Sequence, residues 1–232
     1  MIDFSGFDAM TFDCYGTLID WERGILGALE DLLGEAASAA GSDRLLEDFG
    51  RFEPEAEAGP HRSYREVLQD VARAFGAEYR VAVDDEKASA FAGSVAHWPP
   101  FPDSPAALAR LAARFRLAIV SNVDDDLFAG SAAQLGVDFA EVVTAQQVRS
   151  YKPARVHFDE VLSRLDLPRA RVLHVAQSLY HDIAPAKDLG FTCVWVNRRA
   201  GRAGGGATPP ATATPDVEVP TLAALADLID AS

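Results

Sequence analysis

Strand–helix alternation is the feature that most restricts what this chain can fold into. Short runs rich in β-branched and aromatic residues lie at 9–12, 117–120, 172–175 and 192–196, with a weaker one at 141–144. Helix-spaced apolar patterns fill 105–115, 127–135, 155–165 and 183–189. This alternation predicts an α/β fold: a parallel sheet with helices on both faces, because parallel strands need long crossover connections. In such sheets ligands bind beyond the carboxyl ends of the strands, where the strand order reverses. Residues 21–98 break the rhythm. They carry helical patterns over 24–39, 43–52, 64–75 and 84–97, and no strand run. "HWPPFPDSP" (97–105), with four prolines, marks the end of that stretch. The predicted organisation is a core domain of residues 1–20 and 99–232, with 21–98 inserted after the first strand. "RAGRAGGGATPPATATPD" (199–216) reads as a surface loop, either disordered or an ordered lid.

Composition narrows the partners. The chain has 232 residues, 49% hydrophobic and 24% charged, which suits one large domain or a domain with an insert. A net charge of -14 argues against nucleic acid or an anionic membrane, but not against a small anion in a local positive pocket. Cys14 and Cys193 are too few for a disulfide framework, so a cytoplasmic location fits. No basic-then-apolar leader is visible, and no apolar run approaches the ~20 residues of a membrane-spanning helix. The five histidines show no zinc-like spacing.

Four strand-end stretches carry the polar residues that matter. In "MTFDCYGTLIDWE" (10–22), Asp13 ends an apolar run, where a carboxylate is costly. A helix N-cap or turn residue would explain it, and so would a nucleophile aimed into a cleft; Gly16 permits a sharp turn and Thr17 supplies a hydroxyl. "IVSNVDDD" (119–126) places Ser121 and Asn122 behind a strand, where Ser121 reads equally as a turn residue. "SYKPARVHF" (150–158) places Lys152 before a proline and a helix; the alternative is a solvated surface lysine. "HVAQSLYHDIAPAKDLGF" (174–191) ends a strand in a loop with Ser178 and Asp182, and Asp182 also suits an N-cap for the next helix.

Together, "FDxYGTL", "SN", "YKP" and the Asp-bearing fourth loop resemble the haloacid dehalogenase superfamily, over essentially the whole chain. Within it the chain resembles the L-2-haloacid dehalogenases. It is also similar to bacterial azetidine-2-carboxylate hydrolases in "TFDCYGTLIDWE", "WPxFPD" and "SLYHD". The resemblance implies a Rossmann-like core with a helical cap between core strands. It implies that Asp13 attacks carbon to form an ester that water hydrolyses. Lys152 is then the counter-charge that lowers the Asp13 pKa, and Asp182 pairs with Lys152 and orients the water. Thr17, Ser121 and Asn122 match positions that hydrogen-bond the nucleophile or the substrate carboxylate, and the Asn122 amide could also hold a leaving group. Ser178 joins this substrate-binding set. A cap arginine is expected for the substrate carboxylate or halide: Arg51 in "FGRFE", with Arg62 and Arg65 competing. Tyr15 and Trp21 either wall the pocket or serve as core aromatics. A homodimer is compatible with this branch.

Departures from the family pattern separate the reactions. Phosphatases of the superfamily carry an acidic residue two positions after the nucleophile to protonate the leaving alkoxide, and here that residue is Tyr15. They also place two carboxylates in the fourth loop for Mg²⁺, and here the first is Gln177, leaving only Asp13 and Asp182 as metal ligands. A leaving group that needs no protonation is therefore favoured, and no cofactor is expected; Mg²⁺ belongs only to the phosphatase alternative. Dehalogenases in turn carry serine, asparagine and an aromatic where this chain has Gln177, Leu179 and His181. "QSLYHD" looks more like the azetidine-carboxylate loop, where Asp would expel a strained, protonated amine and His181 or Tyr180 could contact it. The expected function is displacement of the 2-substituent of a small carboxylic acid, of the 2-haloacid dehalogenase type. Ring opening, a Mg²⁺-dependent phosphatase and a catalytically silent binding protein are the alternatives.

Overall fold

The computed structural model describes residues 2–201, 206–208 and 210–232. Six parallel strands form one sheet in the order β3-β2-β1-β4-β5-β6. They are β1 (Ala9–Phe12), β2 (Arg116–Ser121), β3 (Glu141–Thr144), β4 (Val172–Ala176), β5 (Thr192–Val196) and β6 (Val217–Val219). Every residue of β1 and β4 is buried, as expected for strands covered on both faces. β1 lies between β2 and β4, with Met10 opposite Leu117 on one side and Leu173 on the other. The strand order reverses there, so the residue that follows β1 enters the crevice that such sheets use for ligands.

Between β1 and β2 the chain forms α1 (Trp21–Leu33), α2 (Glu35–Ala40), α3 (Ser42–Glu57), α4 (Tyr64–Tyr79) and α5 (Asp85–Gly93), with no strand among them. α6 (Ser104–Ala112) completes this crossover, and beyond β2 come α7 (Asp125–Leu135), α8 (Ala145–Val148), α9 (Val156–Leu165), α10 (Ala184–Asp188) and α11 (Leu222–Asp230). Phe158 and Val161 of α9 and Ala186 of α10 cover one face of the sheet. Leu108 and Leu111 of α6, Leu127 of α7 and Leu225 of α11 cover the other, in an apolar cluster continuous with Phe49, Leu68 and Phe75 of the α1–α5 segment.

The long helix expected over 24–39 is two helices, because Gly34 takes a left-handed conformation (φ 58°) that ends α1. The 84–97 pattern likewise divides into α5 and a 3-10 turn, Ser94–His97. α3 runs past Pro54 to Glu57 instead of ending near Phe52. β6 and α11 lie beyond the strands and helices that the apolar patterns mark. Of the 199–216 stretch, 202–205 and 209 lie outside the described residues; Ala207 is buried, with its backbone against Gly50 of α3.

At Gly24, α1 packs tightly against the chain returning to the sheet. A Cβ built there would lie 2.2 Å from the Trp98 ring, which is itself buried. Gly24→Ala is therefore expected to destabilise the protein by about 1–3 kcal/mol through overpacking, although alanine is the better helix former. The urea midpoint measures this, and an unchanged or higher midpoint would show that Trp98 yields freely.

Candidate active site

Asp13 directly follows β1, and its N–H donates to the Val175 carbonyl of β4 (3.1 Å), so the strand pairing fixes its backbone. The chain then turns tightly: the N–H groups of Leu18 and Ile19 both donate to the Cys14 carbonyl (2.8 and 3.0 Å). Gly16 sits in that turn at φ 90°, a conformation that L side chains rarely adopt. The turn brings Thr17 back onto the carboxylate. Its Oγ1 donates to Asp13 Oδ2 (2.6 Å) and accepts from the Gln177 N–H (2.8 Å), tying the first loop to the fourth.

Lys152, 2% exposed, spends all three ammonium protons: on Asp13 Oδ1 (2.9 Å), Asp182 Oδ1 (2.7 Å) and the Val120 carbonyl at the end of β2 (2.9 Å). Asn122 holds the Lys152 backbone from both sides, accepting its N–H (2.7 Å) and donating to its carbonyl (3.2 Å). One amide hydrogen of Asn122 thus helps to aim Lys152, and Asn122 also lines the cavity beside Asp13. Asp182 is fully buried, within a single π turn, Leu179–Ile183. Its Oδ1 also meets His174 Nε2 (3.2 Å), and His174 Nδ1 meets Thr11 Oγ1 (2.9 Å). Two buried oxygens have no partner among the described residues: Asp182 Oδ2 and Ser121 Oγ.

The charges compete for one cation. Burial pushes the Asp13 carboxyl up, and the nearby Asp182 charge adds to the rise; Lys152 and Thr17 offset only part of it, so the net direction is upward. Lys152 thus lowers the Asp13 pKa, as expected of the counter-charge, while burial leaves the net direction upward. Burial also raises Asp182, but Lys152 and His174 outweigh it and hold it down at about 2. Lys152 is disfavoured by burial, yet its two carboxylates leave its pKa above the ordinary lysine value. His181 is pushed down to about 4 by burial, so it is neutral at neutral pH.

Asp13, Lys152, Asp182, Ser121, Asn122 and Ser178 line one cavity of about 40 Å³, walled by Tyr15 and Trp21. That is room for a few water-sized groups. Tyr15 meets Trp98 edge-on at 5.9 Å and its hydroxyl meets Ser131 Oγ (3.0 Å); Trp21 meets Phe49 edge-on at 6.1 Å. Ser178 Oγ accepts the His181 N–H (2.9 Å), which fixes the fourth loop. Thr17 stands one step behind the wall, on the nucleophile.

Arg51 does not reach the cavity. Its guanidinium bonds Asp48 one turn earlier on α3 (2.9 Å), lies 3.5 Å from Glu78 and stacks 4.2 Å over the Phe52 ring. Arg62 pairs with Asp70 and Arg65 with Asp126, both at 2.7 Å. The α1–α5 segment instead contributes Glu53, Glu57 and Tyr64 to the cavity wall, and Gln177, His181 and Thr208 complete it. Glu53, Glu57, Tyr64 and Thr208, and His174, were not singled out by their sequence context; His181 was read as a contact only for an amine leaving group, and Gln177 only as a departure from the family pattern. A weak signal existed in the i, i+4 spacing of Glu53 and Glu57 and in a histidine inside the apolar run of β4. Among the described residues no cluster of three or more His, Cys, Asp or Glu side chains could hold a metal ion. The donor set fits Mg²⁺ poorly: Asp13 and Asp182 already share an ammonium, and Gln177 offers only a neutral amide. No helix among the described residues is long and apolar enough to cross a membrane.

The chain is similar to known proteins. Residues 7–190 match the profile of the haloacid dehalogenase-like hydrolases. The (S)-2-haloacid dehalogenase H-109 of Pseudomonas putida is 27% identical over 226 residues, which is 95% of this chain and 96% of that protein. The (S)-2-haloacid dehalogenase 1 of Pseudomonas sp. strain CBS-3 is 28% identical over 201 residues, 82% of this chain and 84% of that one. The fold matches the L-2-haloacid dehalogenase of Xanthobacter autotrophicus with chloropropionic acid covalently bound, at a TM-score of 0.79 and 22% identity over 97% of this chain and 98% of that one. Because the profile match spans every strand-end element from Asp13 to Asp182, the chain belongs to the haloacid dehalogenase-like hydrolase family.

Proposed function

We propose that this protein displaces the 2-substituent of a small carboxylic acid through an ester on Asp13, in the manner of a 2-haloacid dehalogenase, and that residues 21–98 act as a cap over the site. The observation that carries this reading is the placement of Asp13 in a small, closed-in cavity, with both carboxylate oxygens oriented, one by Lys152 and one by Thr17. A carboxylate with its hydration shell replaced by two fixed donors is positioned for attack on carbon. One Asp13 oxygen bonds to the substrate carbon, and the leaving group departs with the electron pair of its bond. Water then adds to the Asp13 carboxyl carbon, Lys152 stabilises the oxyanion, and the ester C–O bond breaks to release the hydroxy acid. The unpartnered Oδ2 of Asp182 is free to accept a hydrogen from that water. The names of the two Pseudomonas relatives support halide as the leaving group.

Halide release from L- and D-2-chloropropionate and from haloacetates, with and without EDTA, tests the reading. Release that survives EDTA is expected; EDTA-sensitive phosphate-ester hydrolysis in place of halide release would overturn it. The pH dependence has a definite sign. Only ionised Asp13 attacks, and burial raises its pKa above the ordinary 3.8. The acid limb of kcat/KM is therefore expected above that value, with activity falling as the pH drops through it. A limb below it would mean that Lys152 dominates over burial.

A further inference from the structure

His174 is a polar side chain where packing alone asks for an apolar one. It is fully buried in the middle of β4, whose other residues are Val172, Leu173, Val175 and Ala176. Its ring lies edge-on to Phe158, with 5.2 Å between ring centres, and to Phe191 at 6.4 Å. A buried imidazole is costly unless its nitrogens are hydrogen-bonded, and here both have a partner. Nδ1 meets Thr11 Oγ1 (2.9 Å), and Thr11 is the register partner of His174 on the neighbouring strand β1. Nε2 meets Asp182 Oδ1 (3.2 Å). Asp182, held down at about 2, is ionised, and a carboxylate only accepts, so Nε2 carries the hydrogen and donates it. Oδ1 thus receives two donors from different parts of the fold, Lys152 and His174, whereas Oδ2 has no partner among the described residues.

We infer that His174, held by Thr11, is a positioning residue for the second half of the reaction: it fixes the carboxylate plane of Asp182 so that Oδ2 is left for the water that cleaves the Asp13 ester. This rests on the covalent Asp13 reading and separates its two steps. The first step needs no water. An Asp13 oxygen bonds to carbon, the halide departs with the electron pair, and Lys152 and Thr17 orient Asp13 for this without His174. In the second step the water oxygen bonds to the Asp13 carboxyl carbon as one proton passes to Asp182 Oδ2. The ester C–O bond breaks, and the product oxygen takes that proton from Asp182. The proton left on Asp13 goes to solvent, where it balances the halide. A carboxylate held by one donor at one oxygen can turn about its last side-chain bond, a broad torsion in aspartate. A second donor, arriving from strand β4, stops that rotation. Displacing a reacting group by about 1 Å costs on the order of 10²-fold in rate, so the hydrolytic step is the one that depends on His174.

His174→Phe, His174→Gln and Thr11→Val, assayed with L-2-chloropropionate, test the assignment. Phenylalanine keeps a ring and removes both nitrogens, glutamine returns a donor near the place of Nε2, and valine keeps the β-branched shape of Thr11 without its hydroxyl. In His174→Phe, halide release in the first turnover is expected to stay near the wild-type rate. Decay of the ester, followed as protein mass in acid-quenched samples, is expected to slow by on the order of 10²-fold. The ester then accumulates, and kcat and KM fall together while kcat/KM holds. Glutamine is expected to recover most of the loss. Thr11→Val is expected to show the same split to a smaller degree, and it decides the matter if His174→Phe does not fold. Halide release and ester decay that slow alike, ester decay that does not slow, or a glutamine variant no better than phenylalanine would make His174 a packing residue and overturn the inference. Multiple turnovers of the wild type in water labelled with heavy oxygen separate the two levels. Label in Asp13 keeps the covalent reading whatever the variants do; turnover with no label in Asp13 removes the covalent reading and the role of His174 with it.

Discussion

Asp13→Asn is expected to abolish turnover, by about 10⁴-fold or more as for other removed nucleophiles, while leaving the fold at least as stable as the wild type. The two effects have one cause. Asparagine keeps an oxygen for Lys152 and an amide beside Thr17 but cannot form the ester. For stability, burial raises the Asp13 pKa above its unfolded value, so the ionised carboxylate weakens the fold at every pH above that value, neutral pH included. Removing the charge also leaves Lys152 to Asp182 alone. Turnover and the urea midpoint, measured on the same preparation, decide the matter. Retained turnover would sink the covalent mechanism, and a midpoint well below the wild type would show that Lys152 overcompensates the burial of Asp13. Sites that do chemistry commonly hold such a group, unfavourable to the fold and kept for the reaction.

A β-branched run that stops at a polar residue marks a position on the crevice side of the sheet, which made Asp13 and the nearby Thr17 legible as strand-end residues. Lys152 and Asp182 lie several residues beyond their strands, and their meeting with Asp13 was what the family resemblance implied. Arg51 was misplaced because a helix pattern does not say how a helix is rotated against the sheet; Asp48, one turn away, captures its guanidinium. Glu53 and Glu57 were hidden by Pro54, which locally argues that α3 ends there; instead the helix continues and sets both carboxyls on the cavity face. His174 lies in the fully buried strand β4, where only its contact with Asp182 eight residues later reveals what it does. β6 is three residues long and follows a Thr- and Pro-rich stretch, too short for alternation to show. What sequence order and strand ends encode was readable; what depends on the packing of α3 over the sheet was not.

Lys152→Met is expected to damage both activity and fold, the opposite balance to Asp13→Asn. It leaves Asp13 and Asp182 buried side by side with no cation, and breaking a buried ion pair in this way costs about 3–5 kcal/mol. The pH dependence of stability is the sharper readout, because in the wild type the two carboxyls act in opposite directions, whereas in the variant both act in the same one. In the wild type Asp182 is held at about 2, below the ordinary 3.8, so it contributes stability that is complete above 3.8 and is lost as the pH falls through 2. Without Lys152, burial and mutual repulsion raise both carboxyls above their unfolded values, so the folded state binds more protons than the unfolded chain. The variant is then most stable in mild acid and weakens as the pH rises toward neutrality. Urea midpoints of both proteins at neutral and mildly acidic pH test this. A variant whose midpoint does not rise on acidification would mean that water or a solvent cation reaches the carboxylates, and that the site is less sealed than the burial of Lys152 indicates. Adding Asp13→Asn to Lys152→Met removes one of the two stranded charges and is expected to recover part of the loss, a coupling that two independent surface positions would not show.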